Sequence, residues 1–181
     1  MRNWISRGAA LLLVLVLVTG TALAAGSAES APVIVPTPQA MTVDGVSVSP
    51  AAYNIDGYNY FKLRDLAMLL NGTGSAFHVA YQPEDKTISL TPGRPYEPLG
   101  DELEGPGEPG MVVATTQLVL CDGDMLFELA AYNIDGYTYF KLRDLAWVLG
   151  FAVDYLPETD TIQVQTISGY PTVWNGTTYA G

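Results

Sequence analysis

Two arginines, Arg64 and Arg143, are the polar residues of this sequence best placed to do chemistry. Each falls in the first turn of a predicted helix, where the backbone dipole disfavours positive charge, so each needs a partner that outweighs it. One solution is a strand carbonyl or a turn carboxylate such as Asp56 or Asp135, which fixes helix to sheet; the other is capture of an anionic ligand. The structural pairing is expected, because the dipole effect is small and a guanidinium pairs readily with carboxylates. Tyrosines are the second candidates: Tyr53, Tyr58, Tyr60, Tyr81 and Tyr96 recur as Tyr132, Tyr137, Tyr139, Tyr155 and Tyr170. At strand positions they favour packing, with the hydroxyl at the edge; exposed ones could stack on the sugar rings of a cell-wall polysaccharide.

Metal chemistry fails on count. The chain has one histidine, His78, and one cysteine, Cys121, whereas three imidazoles are needed for a copper site of that type and four N or S ligands for structural zinc. His78 falls on the polar side of a predicted strand, opposite Ala152 of the second repeat, and reads as a surface residue. Cys121 has no partner for an internal disulfide; a small core residue is expected, with covalent dimerisation as the alternative. Placing Gly57 at position 6 of a calcium loop puts Ala52 at position 1 and Leu63 at position 12, neither with a side-chain oxygen. Asp122-Gly123-Asp124 and the acidic linker could collect calcium only loosely. No G-x-S-x-G or H-E-x-x-H string occurs. The expectation is therefore no catalytic, cofactor-binding or metal residue and no cofactor, with paired carboxylates left open.

The elements that must hold these residues come in duplicate. Residues 51–70 and 130–149 match except at Asn59/Thr138, Met68/Trp147 and Leu69/Val148, and after a short insertion within 71–76 the match resumes from Phe77/Phe151 to Ile88/Ile162. Alternation around Asp44-Gly45 and Asp56-Gly57, repeated at Asp122-Gly123 and Asp135-Gly136, predicts hairpins. Leu63, Leu66, Ala67 and Leu70 recur at i, i+3, i+4 and i+7, one face of a helix, as do Leu142, Leu145, Ala146 and Leu149. A closing hairpin follows in each, turned at Pro83-Glu84-Asp85 in the first. The fold class expected is α+β: two tandem copies of a small unit, each with one helix packed on a mostly antiparallel sheet. A unit of roughly 50 residues buries too little surface to be secure alone, so packing of repeat on repeat is expected.

Arg2 and Arg7, an apolar run over 9–18 and the small residues before Ala24 have the layout of a signal peptide, too short to span a bilayer. The organisation expected is signal peptide 1–24, Pro-rich linker 25–40, repeat 41–96, acidic Gly/Pro linker 97–115, repeat 116–167 and C-terminal tail 168–181. The formal net charge of −11 becomes more negative once Arg2 and Arg7 are removed. That charge excludes phosphate-backbone binding to nucleic acid and disfavours an anionic membrane as partner.

Tyr60-Phe61-Lys62-Leu63-Arg64-Asp65-Leu66-Ala67, preceded by Tyr53-Asn54-Ile55-Asp56-Gly57 and followed by Lys86-Thr87-Ile88-Ser89-Leu90, resembles the copper amine oxidase-like N-terminal domain, or stalk domain. Lys62 and Lys141 stand where that family commonly has proline, which resembles the YFKLRD branch of secreted and surface proteins in Gram-positive bacteria. The resemblance covers both repeats and implies a non-catalytic module, since in copper amine oxidases this domain is an appendage distant from the copper. A secreted binding or spacer module at the cell envelope is expected, with a cell-wall polysaccharide or another envelope protein as partner. The alternatives are a small extracellular hydrolase or enzyme inhibitor with an unrecognised site, and an assembly subunit using Trp147.

Overall fold

The computed structural model describes residues 32–166. The signal peptide read at 1–24, residues 25–31 of the Pro-rich stretch and the 168–181 tail with Tyr170 lie outside the described residues. In chain order the elements are β1 (Ile34–Pro36), β2 (Ala40–Val43), β3 (Val46–Val48), β4 (Ala52–Ile55), β5 (Tyr58–Lys62), α1 (Leu63–Leu69), β6 (Phe77–Gln82), β7 (Thr87–Pro92), β8 (Val112–Cys121), β9 (Met125–Ile134), β10 (Tyr137–Lys141), α2 (Leu142–Leu149), β11 (Ala152–Leu156) and β12 (Thr161–Gln165). The fold is mixed α and β, mostly strand, with two short helices against sheets that are antiparallel in all but two pairings.

Local chemistry sets the corners. At Asp56-Gly57 the two residues take φ of 50° and 86°, and at Asp135-Gly136 they take 52° and 89°. Glycine accepts positive φ freely and aspartate tolerates it, so the chain reverses there and the flanking strands pair. The predicted helical faces, Leu63-Leu66-Ala67-Leu70 and Leu142-Leu145-Ala146-Leu149, are buried. Gly150 ends α2 in the left-handed conformation, its N–H returning to the Ala146 carbonyl at 2.8 Å. No glycine stands at that point after α1, which runs instead into the insertion at 71–76.

The sheets are not closed within a repeat. Central strands β5 and β10 pair antiparallel with Phe61 opposite Phe140, joining the first repeated segment to the second. At the flanks the repeats trade hairpins: β7 lies parallel to β8 with Ile88 opposite Val119, and β12 lies parallel to β2 with Ile162 opposite Met41. Each terminal hairpin thus completes a sheet begun by the other repeat. Each helix accordingly covers strands from both repeats, α1 against β5, β6 and β10, and α2 against β10, β11 and β5.

One hairpin is continuous and its counterpart is broken. Strands β8 and β9 run unbroken from Val112–Ile134 to Cys121–Met125. In the first repeat the same ladder is split into β1–β4 and β2–β3, which belong to different sheets. Pro36, Pro38 and Pro50 lie at the split, where the second repeat has Ala114, Thr116 and Leu129; proline removes the ladder N–H and interrupts a strand. The linkers are shorter than the sequence suggested, since β1 lies within 25–40 and β8 begins within 97–115.

Alternation along the central strands gives two buried faces. Ala52, Phe61, Ala131 and Phe140 join the main core with both helices. Tyr53, Ile55, Tyr60, Ile134 and Tyr139 form a second cluster. There Tyr60 stands edge-on to Tyr132 at 4.9 Å and Tyr53 tilts against Tyr139 at 5.4 Å, so these tyrosines serve packing. Cys121 is wholly buried, and burial pushes its thiol up to about 11, which makes it an inert core residue. His78 differs from the surface residue expected: it is half-buried, and its Nδ1 is enclosed without a hydrogen-bond partner.

Candidate functional site

The pairing of β5 with β10 sets Lys62 opposite Tyr139 and Lys141 opposite Tyr60. Each lysine reaches the tyrosine that follows the Asp-Gly turn of the other repeat. Lys62 Nζ lies 4.0 Å from the Tyr137 ring centroid, and Lys141 Nζ lies 4.0 Å from that of Tyr58. Such cation–π contacts contribute about 0.5–2 kcal/mol according to how dry they are.

A pocket opens beside each lysine, of about 400 Å³ at Lys62 and about 360 Å³ at Lys141. Their polar linings correspond by repeat position: Lys62, Arg64, Gln117, Asn133, Tyr137 and Thr138 in one, Lys141, Arg143, Gln39, Asn54, Tyr58 and Asn59 in the other. So do the apolar parts, Leu63, Val79, Tyr81 and Ile88 against Leu142, Val153, Tyr155 and Ile162. Each pocket draws its cations from one repeat and its amides and inner tyrosine from the other, and neither exists without the exchange of strands. The asparagines are locally fixed, Asn54 and Asn133 each accepting the N–H of the turn glycine three residues on at 3.1 Å.

Covering distinguishes the two. At the Lys62 pocket the acidic linker folds back. Lys62 Nζ donates to the Asp101 carbonyl at 2.6 Å and stands 3.5 Å from Asp65 Oδ1. Hydrogen bonding to the Asp101 carboxylate, together with its charge, raises the pKa of the Tyr137 hydroxyl. Arg64 Nη1 donates to the Tyr96 hydroxyl at 3.3 Å, which itself donates to Glu102 Oε1 at 2.5 Å. Burial opposes the Glu102 charge, but hydrogen bonds from Tyr96 and from the N–H groups of Leu99 and Gly100 outweigh it and hold the carboxyl at about 2. Asn71, in the inserted segment, grips the linker at its start, with Nδ2 bonded to the Tyr96 carbonyl at 2.9 Å and Oδ1 accepting the Tyr96 N–H at 3.0 Å.

At the Lys141 pocket these partners are missing among the described residues. Lys141 is half-buried where Lys62 is 5% exposed, Arg143 is exposed where Arg64 is half-buried, and Tyr58 is 59% exposed where Tyr137 is half-buried. Neither Lys141 nor Arg143 has a hydrogen bond or ion pair among the described residues. Tyr155 is also exposed, its hydroxyl donating to Asp160 at 2.7 Å.

The pairing expected for the arginines is not what the chain uses. Asp56 accepts the Val33 N–H at 3.1 Å and Asp135 those of Gly110 and Met111 at 2.9 and 2.8 Å, so both turn carboxylates clip the strand beside them. Arg64 bonds a tyrosine hydroxyl instead. The buried carboxylate in its helix is Asp65, whose Oδ2 accepts the Ala51 N–H at 2.7 Å. That N–H is free because Pro50 breaks the ladder; in the unbroken β9 the corresponding Ala130 pairs with Thr116, and Asp144 takes no such bond.

Asn71 and Glu102 were not singled out from sequence, and Lys62 and Lys141 were marked only as standing where the resembled family has proline. A repeat-against-repeat comparison carried the signal: an insertion starts at Asn71, and carboxylates follow Tyr96 but not Tyr170. Among the described residues no three of His, Cys, Asp and Glu gather as a cation site, and no helix is long and apolar enough to cross a membrane. No family model, curated protein or solved structure matches the chain.

Proposed function

We propose that the chain is a secreted, non-catalytic binding module of the bacterial cell envelope, of the stalk type that its YFKLRD strings resemble. In this reading the two tandem copies act as halves of one unit, and their junctions form a pair of ligand pockets. The observation that carries it is the residue-by-residue correspondence of the two pocket linings across the repeats. Exposed aromatic rings beside amides and a lysine–arginine pair suit adhesion to a flat or carboxylate-bearing surface. They supply donors and stacking faces. The charged N-terminus, apolar run and small-residue site support export.

Sedimentation of the purified protein with isolated cell walls, and with proteins extracted from the cell surface, tests the reading. Retention on either that is lost with Tyr58→Ala and Tyr155→Ala together is the expected result. Free protein in every fraction would remove the binding role and leave only a spacer.

A further inference from the structure

The cations at the edge of the Lys62 pocket already hold a peptide, supplied by the chain, while the cavity beside them stays open. Segment 97–105 approaches as a carboxylate-rich stretch that bends at Gly100 and turns at Glu102-Leu103. It gives Lys62 a carbonyl at 2.6 Å, brings the Asp101 carboxylate to Tyr137, and sets Glu102 at 2.5 Å from the hydroxyl that Arg64 engages. The Lys141 pocket offers the same cations, inner tyrosine and amides, and its cations have no such contact among the described residues. Four of the eight Lys and Arg of a chain of net charge −11 line these two pockets, so positive potential is concentrated there. The grip that seats the linker belongs to one side only, because Asn71 holds Tyr96 where the second repeat has Gly150.

We propose that the Lys141 pocket binds an acidic peptide segment of a partner protein. A backbone carbonyl and a carboxylate of that segment meet Lys141 and Tyr58, and a second carboxylate meets Arg143, as segment 97–105 meets Lys62, Tyr137 and the Tyr96–Arg64 pair. Exposed Tyr155 and Tyr58 give the segment an aromatic wall, and Gln39, Asn54 and Asn59 face its backbone. Asp154, exposed at the rim where the other pocket has Ala80, forms no ion pair with either cation and weakens the attraction. The proposal rests on reading the paired pockets as ligand sites.

A fluorescently labelled peptide copying residues 97–105, titrated into the full chain and followed by anisotropy, is the test. Saturable binding is expected, weakened about tenfold by Arg143→Ala, as for loss of one partner of a charge-assisted contact. Lys86→Ala, which removes an exposed cation outside both linings, should leave it unchanged, and Asp154→Asn should tighten it. Equal binding of a peptide with Asn and Gln in place of its carboxylates overturns the proposal, as does binding seen only after residues 167–181 are removed, which makes the tail the occupant. An acidic polysaccharide that binds with the same Arg143 dependence while the peptide does not also overturns it. If the peptide fails but cell-wall retention still depends on Tyr58, the ligand-site reading survives and the peptide does not. Failure of both rejects the two together.

Discussion

The Lys62 and Lys141 pockets are lined by corresponding residues, yet the cations of the first are engaged by the chain and those of the second are not, among the described residues. The 20-residue segments that supply most of their walls differ at three positions, so the contrast comes from what flanks them. An insertion after α1 brings Asn71 to the start of the linker, and the linker carries Asp101 and Glu102 to the cations. Two matching segments supply two sites of one chemistry, and unequal flanks then give their cations unequal partners. The same lesson holds in the sheets, where three prolines bend one hairpin and leave its duplicate straight, and the N–H freed by the bend is taken by Asp65.

The comparison is tested most severely at its axis. Phe61 and Phe140 face each other in the central pair and are 1% and 0% exposed. Phe61→Ala and Phe140→Ala should each cost about 3–5 kcal/mol in chemical denaturation. Costs that differ by more than about 1 kcal/mol would break the equivalence of the two halves.

Next comes a pair that should behave unequally. Asp65→Ala strands the Ala51 N–H and Lys62 in the core and should cost about 3 kcal/mol, whereas Asp144→Ala, half-buried and without a hydrogen bond among the described residues, should cost little. Melting curves of the two variants separate them, and equal shifts would show that the broken hairpin imposes no special demand on Asp65.

Acid should loosen one pocket and not the other. Glu102 titrates at about 2 in the fold against an ordinary 4.5. A depressed carboxyl stabilises above its unfolded value and loses that contribution as pH falls through the folded one, so linker docking should weaken from about pH 4.5 down to 2. Protection of the Leu99 and Gly100 amides, taken as exchange relative to an unfolded chain at the same pH, should fall over that range, and Glu102→Gln should remove the dependence. A flat profile in the parent would mean that the carboxylate does not hold the linker.

The smallest contrast is between the arginines. Arg64→Ala loses one long hydrogen bond to Tyr96 and should cost about 1 kcal/mol, lowering Tm by roughly 3 to 5 °C, while Arg143→Ala should melt like the parent. A fall in Tm for Arg143→Ala equal to that of Arg64→Ala would place both in structural roles.

Much of the local structure was legible because it rests on short-range chemistry. Asp-Gly pairs set the hairpins and leucine spacing set both helices, since a turn or a helical face is decided within a few residues. Pairing of β7 with β8 and of β12 with β2 was not, because a parallel partner far along the chain leaves no local mark. The pockets escaped for the same reason. Each takes residues from both repeats, and neither Lys62 nor Tyr137 looks like a site until the strands cross. Asp56 and Asp135 read as natural partners for the arginines, yet strand N–H groups lay closer and claimed them.

Access to the two pockets can be read in one spectrum. Gly57 and Gly136 occupy corresponding positions in the two linings, and the N–H of each is held at 3.1 Å by its own asparagine. In a titration of isotope-labelled protein with the peptide copying residues 97–105, the amide signal of Gly57 should move and that of Gly136 should stay. A shift at Gly136, or equal shifts at both, would contradict the account of one pair of cations held by the chain and its twin left open to a partner.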